Sequence, residues 1–240
     1  MPLYSATCPL PKNQMLRRHR GTAPFLPTDL TGLSLWLKAD TGITLSGSNV
    51  TAWADQSGNG NNATATDAPT LTTIGGKTFV NFAGGFFTGD ELLTQPYATI
   101  MVVANFTAAR QVEVIFQQHN ENDGDNLALY RGHAGADEEF AIYNGASFGS
   151  IATTSNNQTY LFGVTVNEVT GSLYLNGTAD EVGESGAITP AGLYYIGKWV
   201  SGDVVTTEMR MAEIVVYDRV LTTPERQQVE TYLNTKYEIY

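Results

Sequence analysis

One cysteine in 240 residues, Cys8, excludes an internal disulfide and a cysteine-rich zinc site, so the fold must be stabilised by packing. Charged residues make up only 15% of the chain against 42% hydrophobic, which argues against disorder and against a coiled coil. No run approaches the roughly 18 consecutive apolar residues that a membrane helix needs. Residues 1–30 carry prolines and arginines where a secretory signal would carry its apolar core, so neither membrane insertion nor that route of export is expected. The phosphate-binding glycine loop is missing too. His119 and His133 are too few for a zinc site without carboxylate help.

Basic charge is scarce and unevenly placed. The net charge is −11, yet residues 1–28 hold Lys12, Arg17, Arg18 and Arg20 and no acid. Residues 29–240 therefore carry nine basic and 24 acidic groups, a net −15. Such a body repels nucleic-acid phosphates, so no nucleic-acid partner is expected. The four cations make residues 1–28 a candidate extended arm for an acidic protein neighbour, and residues 29–240 the folded domain.

What the chain has is glycine, 24 of them, and short β-prone runs. Leu33, Leu35 and Leu37 alternate with Ser34 and Trp36, and similar runs recur at 78–82, 99–106, 112–117, 126–130, 139–143, 160–166, 172–175, 193–196 and 210–217. Asn144-Gly145 and Asn176-Gly177 favour the left-handed backbone of hairpin turns, which predicts antiparallel connections. Helical periodicity is confined to the end. There Thr222-Thr223-Pro224-Glu225 supplies a cap, an early proline and an acid, and Val229, Leu233 and Tyr237 form one apolar stripe.

Two segments carry a more specific signal: Leu35-Trp36-Leu37-Lys38-Ala39-Asp40 with Val50 to Ala63, containing Trp53-Ala54-Asp55-Gln56-Ser57-Gly58-Asn59-Gly60-Asn61, and Met211 to Leu221, ending Tyr217-Asp218-Arg219-Val220-Leu221. Over roughly residues 30–240 they resemble the concanavalin A-like, laminin-G-like jelly rolls of bacterial and phage surface proteins. The resemblance implies an all-β, two-sheet antiparallel jelly-roll sandwich with a short C-terminal α-helix, and the charge of residues 1–28 adds an extended basic N-terminal arm before it. It also implies a structural calcium near the glycine-rich loop, held by Asp55, Asn59 and Asn61 with Glu213 on the last strand. Read without the family, the same loop is a turn fixed by Asp and Ser side chains, with Gly58 and Gly60 at positive φ.

A second oxygen-rich loop, Asn120 to Asn126, has the default reading of a solvated turn. Its Asp123 and Asp125 are candidate ligand-binding groups, with Tyr195 and Trp199 as an aromatic platform on which a sugar would stack. A glycosidase would need two carboxylates flanking a cleft, and the Glu-x-Asp-x-x-Glu strand motif of related glucanases is absent. The nearest run, Asp137-Glu138-Glu139, is expected in a surface loop, and consecutive acids on a strand face opposite ways.

These features predict a non-catalytic virion surface protein, a capsid decoration or a tail or fibre component, anchored to other virion proteins by residues 1–28 and able to bind host glycans. The alternatives are a free extracellular carbohydrate-binding module, with association into homo-oligomers left open, and a divergent glycoside hydrolase.

Overall fold

The computed structural model describes residues 23–107, 112–119, 126–133, 136–144, 147–168, 170–184, 190–200 and 207–240. Among the described residues, a 3-10 turn at Pro27–Asp29 precedes seventeen strands and one helix. The strands of the first half are β1 (Leu33–Lys38), β2 (Ile43–Ser46), β3 (Asn49–Trp53), β4 (Ala63–Thr66), β5 (Thr70–Ile74), β6 (Lys77–Asn81), β7 (Phe86–Gly89) and β8 (Tyr97–Phe106). Those of the second half are β9 (Glu113–His119), β10 (Asn126–His133), β11 (Ala136–Asn144), β12 (Ser147–Thr153), β13 (Thr159–Asn167), β14 (Thr170–Leu175), β15 (Thr178–Glu184), β16 (Leu193–Ile196) and β17 (Met209–Tyr217). The helix is α1 (Thr223–Tyr237).

Every pairing among these strands is antiparallel, and they form two layers. One runs β12-β11-β10-β9-β16-β7-β4-β3-β2 and the other β15-β14-β13-β8-β17-β1, while β5 and β6 bridge β3 to β17. Inward residues of both layers share one core: Phe140 of β11 lies 4.8 Å, centroid to centroid, from Phe162 of β13. This is the all-β sandwich expected from the two-residue alternation. Asn176 and Gly177, at φ 51° and 76°, both take the left-handed backbone in the turn that joins β14 to β15.

The two outer faces have different fates. On the β8-β13-β17-β1 layer, Trp36, Met101, Val103, Leu161 and Val215 point away from the central core and are covered by Val229, Leu233 and Tyr237 of α1. This explains why β1 is buried on both sides rather than alternating with solvent. Each large side chain so buried contributes roughly 1.5–3 kcal/mol. The helix begins as the sequence predicts, with a capping box between Thr222 and Glu225, and stops at Glu238 in the left-handed region.

The Tyr217-to-Leu221 motif has a structural reason. Tyr217 donates its hydroxyl to the Pro27 carbonyl at 3.0 Å, and Arg219 donates to the Thr31 carbonyl at 2.8 Å and to both Glu225 oxygens at 3.0 and 2.8 Å. The motif thus ties the last strand to the domain's entry segment and to the helix cap. One expectation is corrected: Asp137, Glu138 and Glu139 lie within strand β11, not in a surface loop, because β11 is continued to Ala136 by its pairing with β10.

Candidate functional site

The glycine-rich loop is built around Asp55. Its Oδ1 accepts the main-chain N–H groups of Trp36 and Ser57 at 2.9 and 2.8 Å, and its Oδ2 accepts the Ser57 hydroxyl at 2.6 Å and the Asn61 N–H at 3.1 Å. Asn59 and Asn61 donate their amide N–H groups to the carbonyls of Leu33 and Ser34, at 2.6 and 2.8 Å. Glu213 is fully buried beneath α1, where Oε1 accepts from the Trp36 indole at 2.6 Å and Tyr232 at 3.0 Å, and Oε2 from Lys236 at 2.7 Å and Tyr237 at 2.8 Å.

Each carboxylate therefore already accepts four donors, whereas calcium takes six to eight oxygen ligands from groups free to turn their lone pairs to it. The donor set fits two hydrogen-bonded junctions joined through Trp36, one at its main chain and one at its indole, better than a shared ion cage. Burial, and then the Glu213 charge, push the hydroxyls of Tyr232 and Tyr237 well above the ordinary tyrosine pKa, so both stay donors across the physiological range.

The other layer's outer face is where the predicted aromatic platform lies. On β10 the residues alternate: Leu127 and Leu129 belong to the core, while Ala128 and Tyr130 form a separate cluster with Ala141, against which Val112, Tyr143 and Trp199 pack. Across the sheet, Ala128 is opposite Gln117 on β9, Gln117 is opposite Tyr195 on β16, and Tyr195 is opposite Thr88 on β7. Antiparallel partners point to the same side, so these residues share one face.

The segment after β16 crosses that face. Trp199 meets Tyr130 edge-on with centroids 6.0 Å apart, and the Lys198 ammonium lies 4.3 Å from the Phe86 centroid and 5.8 Å from that of Tyr195. Val200 donates its N–H to Gln117 Oε1 at 3.1 Å. Gln117 is fully buried, and among the described residues its amide nitrogen has no hydrogen-bond partner; the same holds for Nδ1 of the buried His119, two residues along the strand. Such unspent polar capacity is costly inside a protein and marks a place where an added group would gain.

Of the predicted ligand residues, Tyr195 and Trp199 are thus brought together on one face, Tyr195 largely buried and Trp199 half-buried. Asp123 and Asp125 fall outside the described residues, as do Lys12, Arg17, Arg18 and Arg20. Sequence reasoning missed Gln117, Tyr130 and Lys198. The signal that points to the first is Gln117-Gln118 directly after the apolar Val114-Ile115-Phe116 run, in a strand the structure buries throughout.

Comparison with solved structures places this architecture among known sandwiches. Domain 4 of an extracellular GH43 arabinanase from Geobacillus stearothermophilus, solved with arabinotriose, superposes with a TM-score of 0.64 at 11% identity, covering 80% of this chain and 95% of that domain. Trypanosoma rangeli sialidase in complex with sialic acid gives 0.63 at 15% identity over 87% of this chain and 34% of the sialidase. The binding domain of botulinum neurotoxin serotype D gives 0.61 at 12% identity over 84% of this chain and 52% of that one. The likeness is one of fold. The chain spans only about a third of the sialidase and half of the toxin domain. No family model matches the sequence, and no curated protein does.

Proposed function

We propose that the chain is a non-catalytic carbohydrate-binding module that presents the outer face of β7, β16, β9 and β10 to glycans. The observation that carries this reading is the asymmetry of the sandwich: one outer face is sealed by α1, while the other holds Trp199, Tyr130 and Tyr195 beside a buried Gln117 amide without a partner. Aromatic planes with a few convergent amide and hydroxyl groups suit the apolar faces and hydroxyl rims of sugars. Support comes from the solved structures of similar fold, two of which hold a saccharide: arabinotriose in the arabinanase domain and sialic acid in the sialidase. A glycan array probed with the full chain tests the proposal. Selective binding that is lost in Trp199→Ala is expected, and silence of the wild-type chain across the array would refute it.

The finer part of the proposal is that residues 1–28 attach this module to a virion or another extracellular surface. The charge contrast supports it, four cations and no acid against a body at −15. So does a groove of about 590 Å³ between Phe25 and the outer side of α1, lined by Pro224, Tyr232 and Lys236, where the described chain enters. Removing residues 1–22, which takes away all four cations and keeps Phe25 and Pro27, should abolish incorporation into particles and leave the unfolding transition unchanged; incorporation of the shortened chain would end the anchor role.

A further inference from the structure

Resting on that reading, we propose that the ligand is an acidic glycan whose carboxylate pairs with Lys198. The Lys198 side chain is half-buried, its ammonium held over the rings of Phe86 and Tyr195. It forms no ion pair among the described residues, whereas Arg131, Arg219, Arg226 and Lys236 are each matched to a carboxylate. An ammonium lying against aromatic faces has lost part of its water, and a partly desolvated cation attracts an anion more strongly than one in bulk solvent. In a body of net charge −15, a cation that has no acid among the described residues and lies on an aromatic face is the natural place for an acid that arrives with the ligand.

The neighbouring polar groups match that ligand. Gln117 spends its Oε1 on the Val200 N–H and keeps both amide protons unspent, so what it seeks is an acceptor. Among the described residues, Glu91 and Glu139 do not supply one. Glu91 takes the Gly192 N–H at 3.2 Å, and Glu139 lies on β11, two strands further across the sheet from Gln117. A sugar carboxylate has two acceptor oxygens, and charge-assisted bonds from an ammonium and an amide are the stronger class. Because Gln117 is fully buried, its amide is reached when the 198–200 segment shifts, so ligand entry alters the packing of Trp199 on Tyr130.

Titration calorimetry on the full chain tests this with sialyllactose, with a glucuronate-containing disaccharide, and with the carboxyl-reduced form of each as a neutral control. At least one acid should bind about tenfold or more tightly than its reduced form, and the arm that shows the preference separates a sialic from a uronic acid. Lys198→Gln should erase the preference, and Lys198→Arg should retain it. Equal affinity for acid and reduced sugar, or a preference that survives Lys198→Gln, would overturn the carboxylate pairing while leaving sugar binding at this face intact. Absence of binding by all four sugars, joined to a silent glycan array, would remove both proposals together.

Discussion

The indole of Trp36 donates a 2.6 Å hydrogen bond to the fully buried carboxylate of Glu213. Trp36 is on β1 and Glu213 on β17, and the same carboxylate takes Tyr232, Lys236 and Tyr237 from α1. The bond therefore lies where the first strand, the last strand and the helix meet. Trp36 also hands its main-chain N–H to Asp55, so the junction extends to the glycine-rich loop. Both halves of the sequence signature that marks this fold thus converge on one side chain.

Breaking that junction should be expensive. Glu213→Ala leaves the Trp36 indole and the Tyr232 and Tyr237 hydroxyls without their acceptor and leaves Lys236 with Asp40 alone, and a loss of about 3–5 kcal/mol is expected in urea unfolding. Trp36→Phe removes one donor and should cost less, about 1–3 kcal/mol. A loss below about 1 kcal/mol in Glu213→Ala would show that the carboxylate does not hold the helix to the sheet.

Stability should depend on pH at both ends of the range. Hydrogen bonds from Arg219, then from the Thr222 main chain and hydroxyl, hold the Glu225 carboxyl down at about 2 against an ordinary 4.5. A depressed pKa adds stability above the ordinary value, and that contribution is lost as pH falls from about 4.5 towards 2. Glu225→Gln should flatten this acid limb of the melting-temperature profile. At the alkaline end the signs reverse: the raised hydroxyls of Tyr232 and Tyr237 add stability below about pH 10 that is lost above it, because the unfolded chain releases those protons first. Tyr237→Phe should make the alkaline limb shallower.

Metal removal should do little. Because the oxygens of Asp55 and Glu213 already accept protein donors, excess calcium and excess chelator should leave the melting temperature within about 1 °C of each other. A calcium-dependent rise of several degrees that disappears in Asp55→Asn would restore the metal site implied by the family resemblance.

Gly89 is a packing constraint between the glycine-rich loop and the proposed ligand sheet. A Cβ there would sit 2.3 Å from the Tyr194 ring, whose hydroxyl donates to the Asn61 carbonyl at 3.0 Å. Gly89→Ala should cost about 1–3 kcal/mol in urea unfolding. An unchanged midpoint would mean that Tyr194 is free to move aside.

Much of the sandwich was legible because three of its four longest strands, β8, β13 and β17, are apolar runs that announce burial without ambiguity. The strands β2, β4, β5 and β12 were not, since Thr, Ala, Ser and Gly make up half or more of each, nor was β15, with three acids in seven residues; their position comes from pairing rather than from their own propensity. The same physics hid part of the site. Tyr195 and Trp199 stood out as aromatics near a loop, but Gln117 joins them only through the pairing of β9 with β16, far apart in sequence. Lys198 gains its meaning from Phe86, on another strand again. In the glycine-rich loop the sequence offered two physical readings of the same oxygens, and the donors on Asp55 favour the turn.

The chain has three tryptophans, and their indole N–H groups separate the helix-covered face, the core and the proposed ligand face. Trp36 is bonded to Glu213, Trp53 is fully buried and bonded to the Lys38 carbonyl at 2.8 Å, and Trp199 lies half-buried against Tyr130. A proton–nitrogen NMR titration of the full chain with a glycan selected on the array should move the Trp199 indole signal in step with binding and leave those of Trp36 and Trp53 in place. A Trp199 signal that stays fixed while the sugar binds would place the ligand elsewhere and contradict the account.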